Sequence, residues 1–421
     1  MANRSKQTLS ESSTFYGWLS WSVVSCFYLF QFILRVSPSV IGHELMRDFG
    51  IGAADLGTIA GLYYVGYSAM QIPLGIMLDL YGPRRMILSV ALLHLLGAMI
   101  FAAAPNAWVA AIGRTLLGAG AAAGFLGSMK VASSWFRPAL FAVLAGVESG
   151  IGVFGALLGS GPLGLLVNHL GWREALWVMI ALGFAIYGLM FFALRDRPQE
   201  HHHRSNSSYR KVLGQWRIWM AAIVGMALYS PLTVLADLWG TPFISVLYGI
   251  PVAVAATAVS QIYLGFGIGS SVVGWITAWI RDLRWIFAAA LSISALLLVA
   301  IIWIPNIPYW EIVGIFGLLG ILSCAQVLVF PAACRYVPLS YAGTVTGLVN
   351  MGTMMGGTLL QPLVGYIMSA VWDGETKNGI PWYSVGDYQL GTSTLIILML
   401  IALVAAFALK PPPKGKRRRL A

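Results

Sequence analysis

Twelve apolar runs, each long enough to cross a bilayer as a helix, occupy 16–40, 56–78, 86–104, 107–134, 139–167, 175–194, 217–239, 254–279, 285–304, 310–334, 341–371 and 389–409. A hydrocarbon core needs about 20 such residues, and the longer runs predict tilt or extension into the headgroups. None alternates with the two-residue period of a barrel strand, so backbone hydrogen bonds are expected to close within helices. The chain is 58% hydrophobic and 10% charged, against about 25% charged in a soluble domain. The expected fold class is an all-α membrane protein.

Basic residues predict the orientation. The 26 Lys and Arg gather in alternate connections: the N-terminal tail, Arg84 and Arg85, Lys130 and Arg137, residues 195–217, Arg281 and Arg284, Arg335, and the tail from Lys410. The intervening loops hold Arg47, Arg173 and Lys377, while Arg35 and Arg114 lie inside runs. The positive-inside rule then places both termini and 195–217 in the cytoplasm. The net charge of +11 is thus a topology signal and no nucleic-acid footprint, although Lys414 to Arg419 suit anionic lipid. Residues 1–14 are polar and the first run is long, so no cleavable signal peptide is expected. Cys26, Cys324 and Cys334 show no disulfide or metal spacing. His201-His202-His203 reads as solvated linker. No metal or cofactor is expected.

Residues 195–217 are the long polar interruption of the interior, dividing 1–194 from 218–421 with six runs on each side. Between the second and third runs stands Gly75-Ile-Met-Leu-Asp79-Leu-Tyr-Gly82-Pro83-Arg84-Arg85. Such a charged turn belongs at the membrane face, where Asp79 is expected to pair with the arginines and cap a helix start. Gly274-Trp-Ile-Thr-Ala-Trp-Ile-Arg281-Asp282-Leu-Arg284 holds the equivalent place later, with Ala278 where Asp79 stands and the second glycine gone.

The first of these loops resembles the signature between helices 2 and 3 of the major facilitator superfamily, with acid, glycine and basic pair at the family spacing. Pro83 replaces the basic residue often found after the glycine. Arg114-Thr-Leu-Leu-Gly118-Ala-Gly120 is similar to the family's fourth-helix pattern, and Gly171-Trp172-Arg173 to its turn between helices 5 and 6. Gly161-Pro162-Leu-Gly164 partly resembles an antiporter motif, with Leu157 and Leu165 departing from it. The resemblance covers essentially the whole chain. It implies twelve transmembrane helices in two pseudo-symmetric six-helix bundles, with the first, fourth, seventh and tenth lining a midplane cavity. It also implies that the third, sixth, ninth and twelfth face lipid, and that Asp79, Arg84 and Arg85 gate the cytoplasmic side in the outward-facing state. Substrate identity does not follow from the fold.

Charged residues inside membrane helices are costly and therefore candidates for function. Arg35 shares a face of the first run with Tyr28 and Gln31. Its planar fork suits a carboxylate or phosphate, as does the arginine that organic-anion members of the family tend to carry in this helix. The alternatives are an outer-gate ion pair and an arginine that snorkels toward the headgroups. Asp237 continues a stripe with Tyr229 and Thr233, and faces Arg35 either as the second pole of a zwitterion site or as its salt-bridge partner. Glu148 is the candidate for reversible protonation. Counting about 1.5 Å per residue, Lys130 lies within reach of Glu148's depth and Arg114 does not, so a structural Glu148–Lys130 pair is the alternative. Arg114 either orients substrate or holds carbonyls of a broken helix. Tyr67, Gln71, Gln326 and Asn350 are polar groups that either line the cavity or join helices.

No Walker loop, HExxH, GxSxG or paired-carboxylate arrangement appears, so neither an enzyme nor an ATP-driven pump is expected. The expectation is a monomeric inner-membrane secondary transporter working by alternating access. It would take up an organic acid, amino acid or short peptide with protons or another coupling ion. Efflux of a drug or metabolite, and a transporter-like membrane sensor, are the alternatives.

Overall fold

Prolines and glycines set where the helices begin and turn. Pro38, Pro83 and Pro138 stand in the first turn of their helices, where a missing N–H leaves nothing unpaired. Gly82 and Gly171 close tight connections at φ +87° and +86°, a region that a side chain strongly disfavours. The computed structural model describes residues 11–197, 213–279, 282–338, 341–377 and 379–410. Parts of the 195–217 segment, Arg281 and the basic tail beyond Lys410 lie outside the described residues.

In chain order the helices are α1 (Glu11–Val36), α2 (Pro38–Phe49), α3 (Ala53–Tyr81), α4 (Pro83–Ala102), α5 (Ala107–Trp135), α6 (Pro138–Leu170) and α7 (Trp172–Ala193). After the central segment come α8 (Trp216–Tyr248), α9 (Val252–Val259), α10 (Gln261–Trp279), α11 (Leu283–Trp303), α12 (Tyr309–Cys334), α13 (Ala342–Val371) and α14 (Val385–Phe407). A hairpin pairing Thr376–Lys377 with Ile380–Pro381 joins the last two. Short connections join successive spans, so that neighbours in sequence such as α4 and α5 pack side by side.

Among the described residues, eleven helices are long and apolar enough to cross a membrane by length and composition. This is a multi-pass, all-α membrane protein. The second expected span, α3, is a continuous 29-residue helix but is diluted by Tyr63, Tyr64, Tyr67 and Gln71. These face the interior, which explains why a span so polar is tolerated. Trp108, Trp285 and Trp310 stand exposed in the first turns of α5, α11 and α12, where indole rings anchor helix ends at a membrane interface.

Several expected spans are interrupted. The 16–40 run breaks at Ser37 because Pro38 cannot donate to the carbonyl one turn back. α8 opens into a π-helix over Pro231–Trp239, and α12 tightens to a 3₁₀ turn over Cys324–Leu328. The 254–279 run divides at Ser260 into α9 and α10.

Burial ranks the helices. The most apolar stretch of α8 is 78% buried within the protein, whereas that of α7 is only 28% buried. α8 is therefore central and α7 peripheral, whereas α4 and α5, each 56% buried, do not separate. α3 packs lengthwise on α13, and α6 packs on α9 and α10. The α3–α13 seam is tight where the start of α3 meets the latter part of α13. A Cβ on Gly57 would lie 2.4 Å from the Gln361 carbonyl oxygen, and one on Gly365 would lie 2.2 Å from that of Ala53. The hydroxyl of Tyr383 receives the N–H of Ala53 at 2.9 Å, capping α3 from across this seam.

Candidate functional site

The break in the first run places Arg35 at its rim. Pro38 leaves the Leu34 carbonyl without its helical donor. Arg114 Nη1 donates to that oxygen at 2.9 Å, and Ser37 Oγ does the same at 2.9 Å. Arg114 Nη2 donates to the Arg35 carbonyl at 3.2 Å, and Ser39 Oγ to that of Val36 at 2.8 Å. The guanidinium of Arg114 also lies 5.0 Å from the Tyr63 ring centroid and 5.6 Å from that of Phe101. Arg114 thus makes the carbonyl contacts of one of its two expected roles.

α8 uses the same device. Pro231 deprives the Ala227 carbonyl of its donor, and Ser230 Oγ supplies one at 2.8 Å. The π-helical turns that follow carry Thr233 and Asp237, a distortion that recurs at functional sites. Gln361 of α13 donates its side-chain amide to the Thr233 carbonyl, and Trp239 Nε1 donates to the Gln361 carbonyl at 3.0 Å.

These two irregular helices bring Arg35 and Asp237 together. Arg35 Nε donates to Asp237 Oδ2 at 2.9 Å, with Nη2 also 2.9 Å from that oxygen. Both side chains are buried, at 5% and 1% exposure. Tyr64 of α3 donates its hydroxyl to Asp237 Oδ2, and Tyr263 of α10 donates to Oδ1. Aromatic rings enclose the guanidinium: Phe32 at 4.8 Å, Tyr64 at 5.1 Å and Tyr229 at 5.8 Å from centroid to Cζ. Gln31, on the same face as Arg35, accepts from the Tyr63 hydroxyl at 2.7 Å. One carboxylate thus receives donors from three other helices, in a region closed to water.

A family model described as Major Facilitator Superfamily matches residues 20–359. The chain belongs to that superfamily. The probable sulfoacetate transporter SauU of Cupriavidus necator is 25% identical to it over 181 residues, which span 42% of each protein. The membrane sensor protein UhpC of Salmonella typhimurium is 23% identical over 88% of both chains. A bacterial homologue of the human lysosomal transporter Spinster, solved in an inward-facing and occupied conformation, shares the fold. Its TM-score is 0.75 at 15% identity, covering 92% of this chain and 96% of that one. As a major facilitator protein the chain is a secondary-transporter relative and not an enzyme.

Two pairings read from the sequence, one of them only as an alternative, take other partners in this superfamily member. Lys130 Nζ binds Asp79 Oδ1 at 2.8 Å, so it is not the partner of Glu148. Glu148 Oε2 instead accepts from Ser25 Oγ of α1 at 2.7 Å, with Ser128 alongside. Depth along a helix was compatible with either partner, but Lys130 faces α3. Among the described contacts Asp79 pairs with Lys130, and none joins it to Arg84 or Arg85 as expected. Arg84 starts α4 and turns toward α7, donating its backbone N–H to Asp196 at 2.8 Å and its Nη2 to the Phe191 carbonyl at 2.9 Å. Arg85 is exposed.

The other candidates divide. Tyr229 joins the Arg35 cluster, while the hydroxyl of Tyr67 lies beside the amides of Gln71 and Asn350. Tyr67 also stacks on Tyr63 at 6.3 Å, linking this second polar group to the first. Gln326 is buried in the 3₁₀ turn of α12 and joins neither group among the described contacts.

Tyr263 and Gln361 were absent from the candidate residues, and Tyr64 stood among the aromatic residues of the second run that favour packing over ligand contact. A signal for the tyrosines existed. Tyr64-Val65-Gly66-Tyr67 and Tyr263-Leu264-Gly265-Phe266 stand at the same offset as Gly75 and Gly274. The structure pairs them too: a Cβ on Gly66 would lie 2.0 Å from the Thr115 carbonyl oxygen, and one on Gly265 would lie 2.0 Å from that of Gly317. Gln361 carried no comparable pattern.

Proposed function

We propose that this chain is a proton-coupled importer of a small carboxylate-bearing metabolite. Twelve helices in two six-helix bundles would alternate access to a midplane cavity, in an inner membrane with both termini cytoplasmic. The observation that carries this reading is the buried guanidinium of Arg35, held among aromatic rings where chain segments from before and after the central loop meet. A planar fork in a dry, aromatic setting favours a carboxylate over a neutral ligand. The similarity to a probable sulfoacetate transporter supports an anionic substrate. Tyr67, Gln71 and Asn350 would contact the remainder of the molecule.

In this reading the conformation is closed on the outer side. The Arg35–Asp237 pair and the α3–α13 seam would form the outer gate, and Glu148, hydrogen-bonded between α6 and α1, would carry the coupled proton. Asp79 and Lys130 would act together at the cytoplasmic end.

Uptake into proteoliposomes under an inside-alkaline gradient tests this, with sulfoacetate and other small carboxylates as substrates. Arg35→Ala is expected to cost at least roughly a hundredfold in affinity, because stripping one partner from a buried charge pair costs about 3–5 kcal/mol. Arg35→Lys should recover only part of it. Recovery of transport by Arg35→Asp with Asp237→Arg would leave the pair as a gate and remove the anion site. Because a sensor is similar over most of the chain, a second reading is ligand binding without transport. Carboxylate binding with no uptake would establish it.

A further inference from the structure

The environment of Asp237 is a carboxylate-binding site already holding a carboxylate. Its Oδ2 receives Arg35 Nε and the Tyr64 hydroxyl, and its Oδ1 receives the Tyr263 hydroxyl. Arg35, Tyr64 and Tyr263 are each 5% exposed or less. The two tyrosines occupy matching places in the internal repeat, so they approach one carboxylate from related helices, α3 and α10. The carboxylate itself comes from the irregular part of α8, where a π-helical turn already departs from the regular register. A shift of register there re-aims a side chain without unfolding the helix.

We propose that Arg35, Tyr64 and Tyr263 form a site for a carboxylate group that Asp237 occupies as an internal stand-in. When Asp237 withdraws, the substrate's carboxylate takes the same three donors. This deepens the anion reading above and rests on it for the identity of the natural occupant. The donor set itself is testable without transport. It also gives the tyrosines a role that a gate alone does not require. A guanidinium would suffice to pin Asp237, whereas two added hydroxyls complete a cradle that accepts either carboxylate in turn.

The experiment uses the purified full chain and formate as the probe. Asp237→Ala keeps the Cβ and removes one carboxylate, leaving a place for one formate ion. The variant is expected to melt below the wild type, because Arg35 and both hydroxyls lose their acceptor. Sodium formate should restore at least about half of the lost melting temperature, saturably and no tighter than the millimolar range expected of a three-atom anion. Sodium chloride at equal ionic strength should not. Wild type and Asp237→Asn, whose side chains still fill the place, should not respond. Adding Tyr64→Phe and Tyr263→Phe to Asp237→Ala should weaken the formate response at least tenfold.

If Asp237→Ala is not recovered folded, formate is supplied from solubilisation onward, and Asp237→Ser is tested in the same way. A chloride effect equal to that of formate would overturn the proposal. So would a formate response unchanged by the tyrosine substitutions, or failure of formate to recover either variant. Formate binding that holds while Arg35→Lys leaves uptake untouched would uphold the donor site and refute the transport role of Arg35. The reverse result would refute the site alone.

Discussion

Arg114 donates to the backbone carbonyl of Leu34 at 2.9 Å, across to a helix that ends two residues later. The contact explains how the first membrane run can break beside Arg35. Irregular backbone at membrane depth persists only where protein groups satisfy it, and here the guanidinium and two serine hydroxyls do so.

Replacing Arg114 therefore tests structure before transport. Arg114→Met leaves the Arg35 carbonyl without this donor and Leu34 with one fewer. A buried carbonyl left unpaired costs roughly 1–3 kcal/mol, so thermal melting in detergent should fall clearly. Arg114→Lys, which reaches one carbonyl well, should fall less. Unchanged melting in both would mean that Ser37 and water suffice.

The Asp79–Lys130 pair makes the opposite forecast. Its side chains are 33% and 22% exposed, and an ion pair so solvated contributes at most about 1 kcal/mol. Asp79→Asn and Lys130→Ala should leave melting nearly unchanged while slowing uptake at saturating substrate. Because they share this contact, the double variant should lose less than the sum of the two single losses. Independent, additive losses would separate the two residues.

Glu148→Gln should abolish concentrative uptake and spare substrate exchange, because a fixed neutral amide cannot carry a proton through the cycle. The amide oxygen still accepts from Ser25, so folding is expected to survive. A folded variant that still accumulates substrate in response to pH would take Glu148 out of the coupling role.

Topology is checked with single cysteines in a background lacking Cys26, Cys324 and Cys334. An impermeant maleimide added to intact cells should label a cysteine at the exposed Lys377 and spare one at the exposed Arg195. The reverse pattern would invert the orientation.

The sequence by itself determined that the chain threads a membrane, roughly where each helix lies, and which few residues merit attention. Each membrane helix satisfies its own backbone, so span and composition are local properties. A charge such as Arg35, Glu148 or Asp237 is conspicuous in an apolar run whatever surrounds it. The Arg35–Asp237 encounter was foreseeable as one of two alternatives, because both residues sit at similar depth in equivalent runs. Pairing beyond that was decided only by tertiary structure. A residue count places Lys130 along its helix but not around it relative to a neighbour, and it is the facing helix that delivers Asp79 to Lys130 and Ser25 to Glu148. The π-helical turn of α8 that carries Thr233 and Asp237 is not written in the four-residue spacing of Tyr229, Thr233 and Asp237. The hydroxyls of Tyr64 and Tyr263, far apart in the chain, meet there only because α3, α8 and α10 pack against one another.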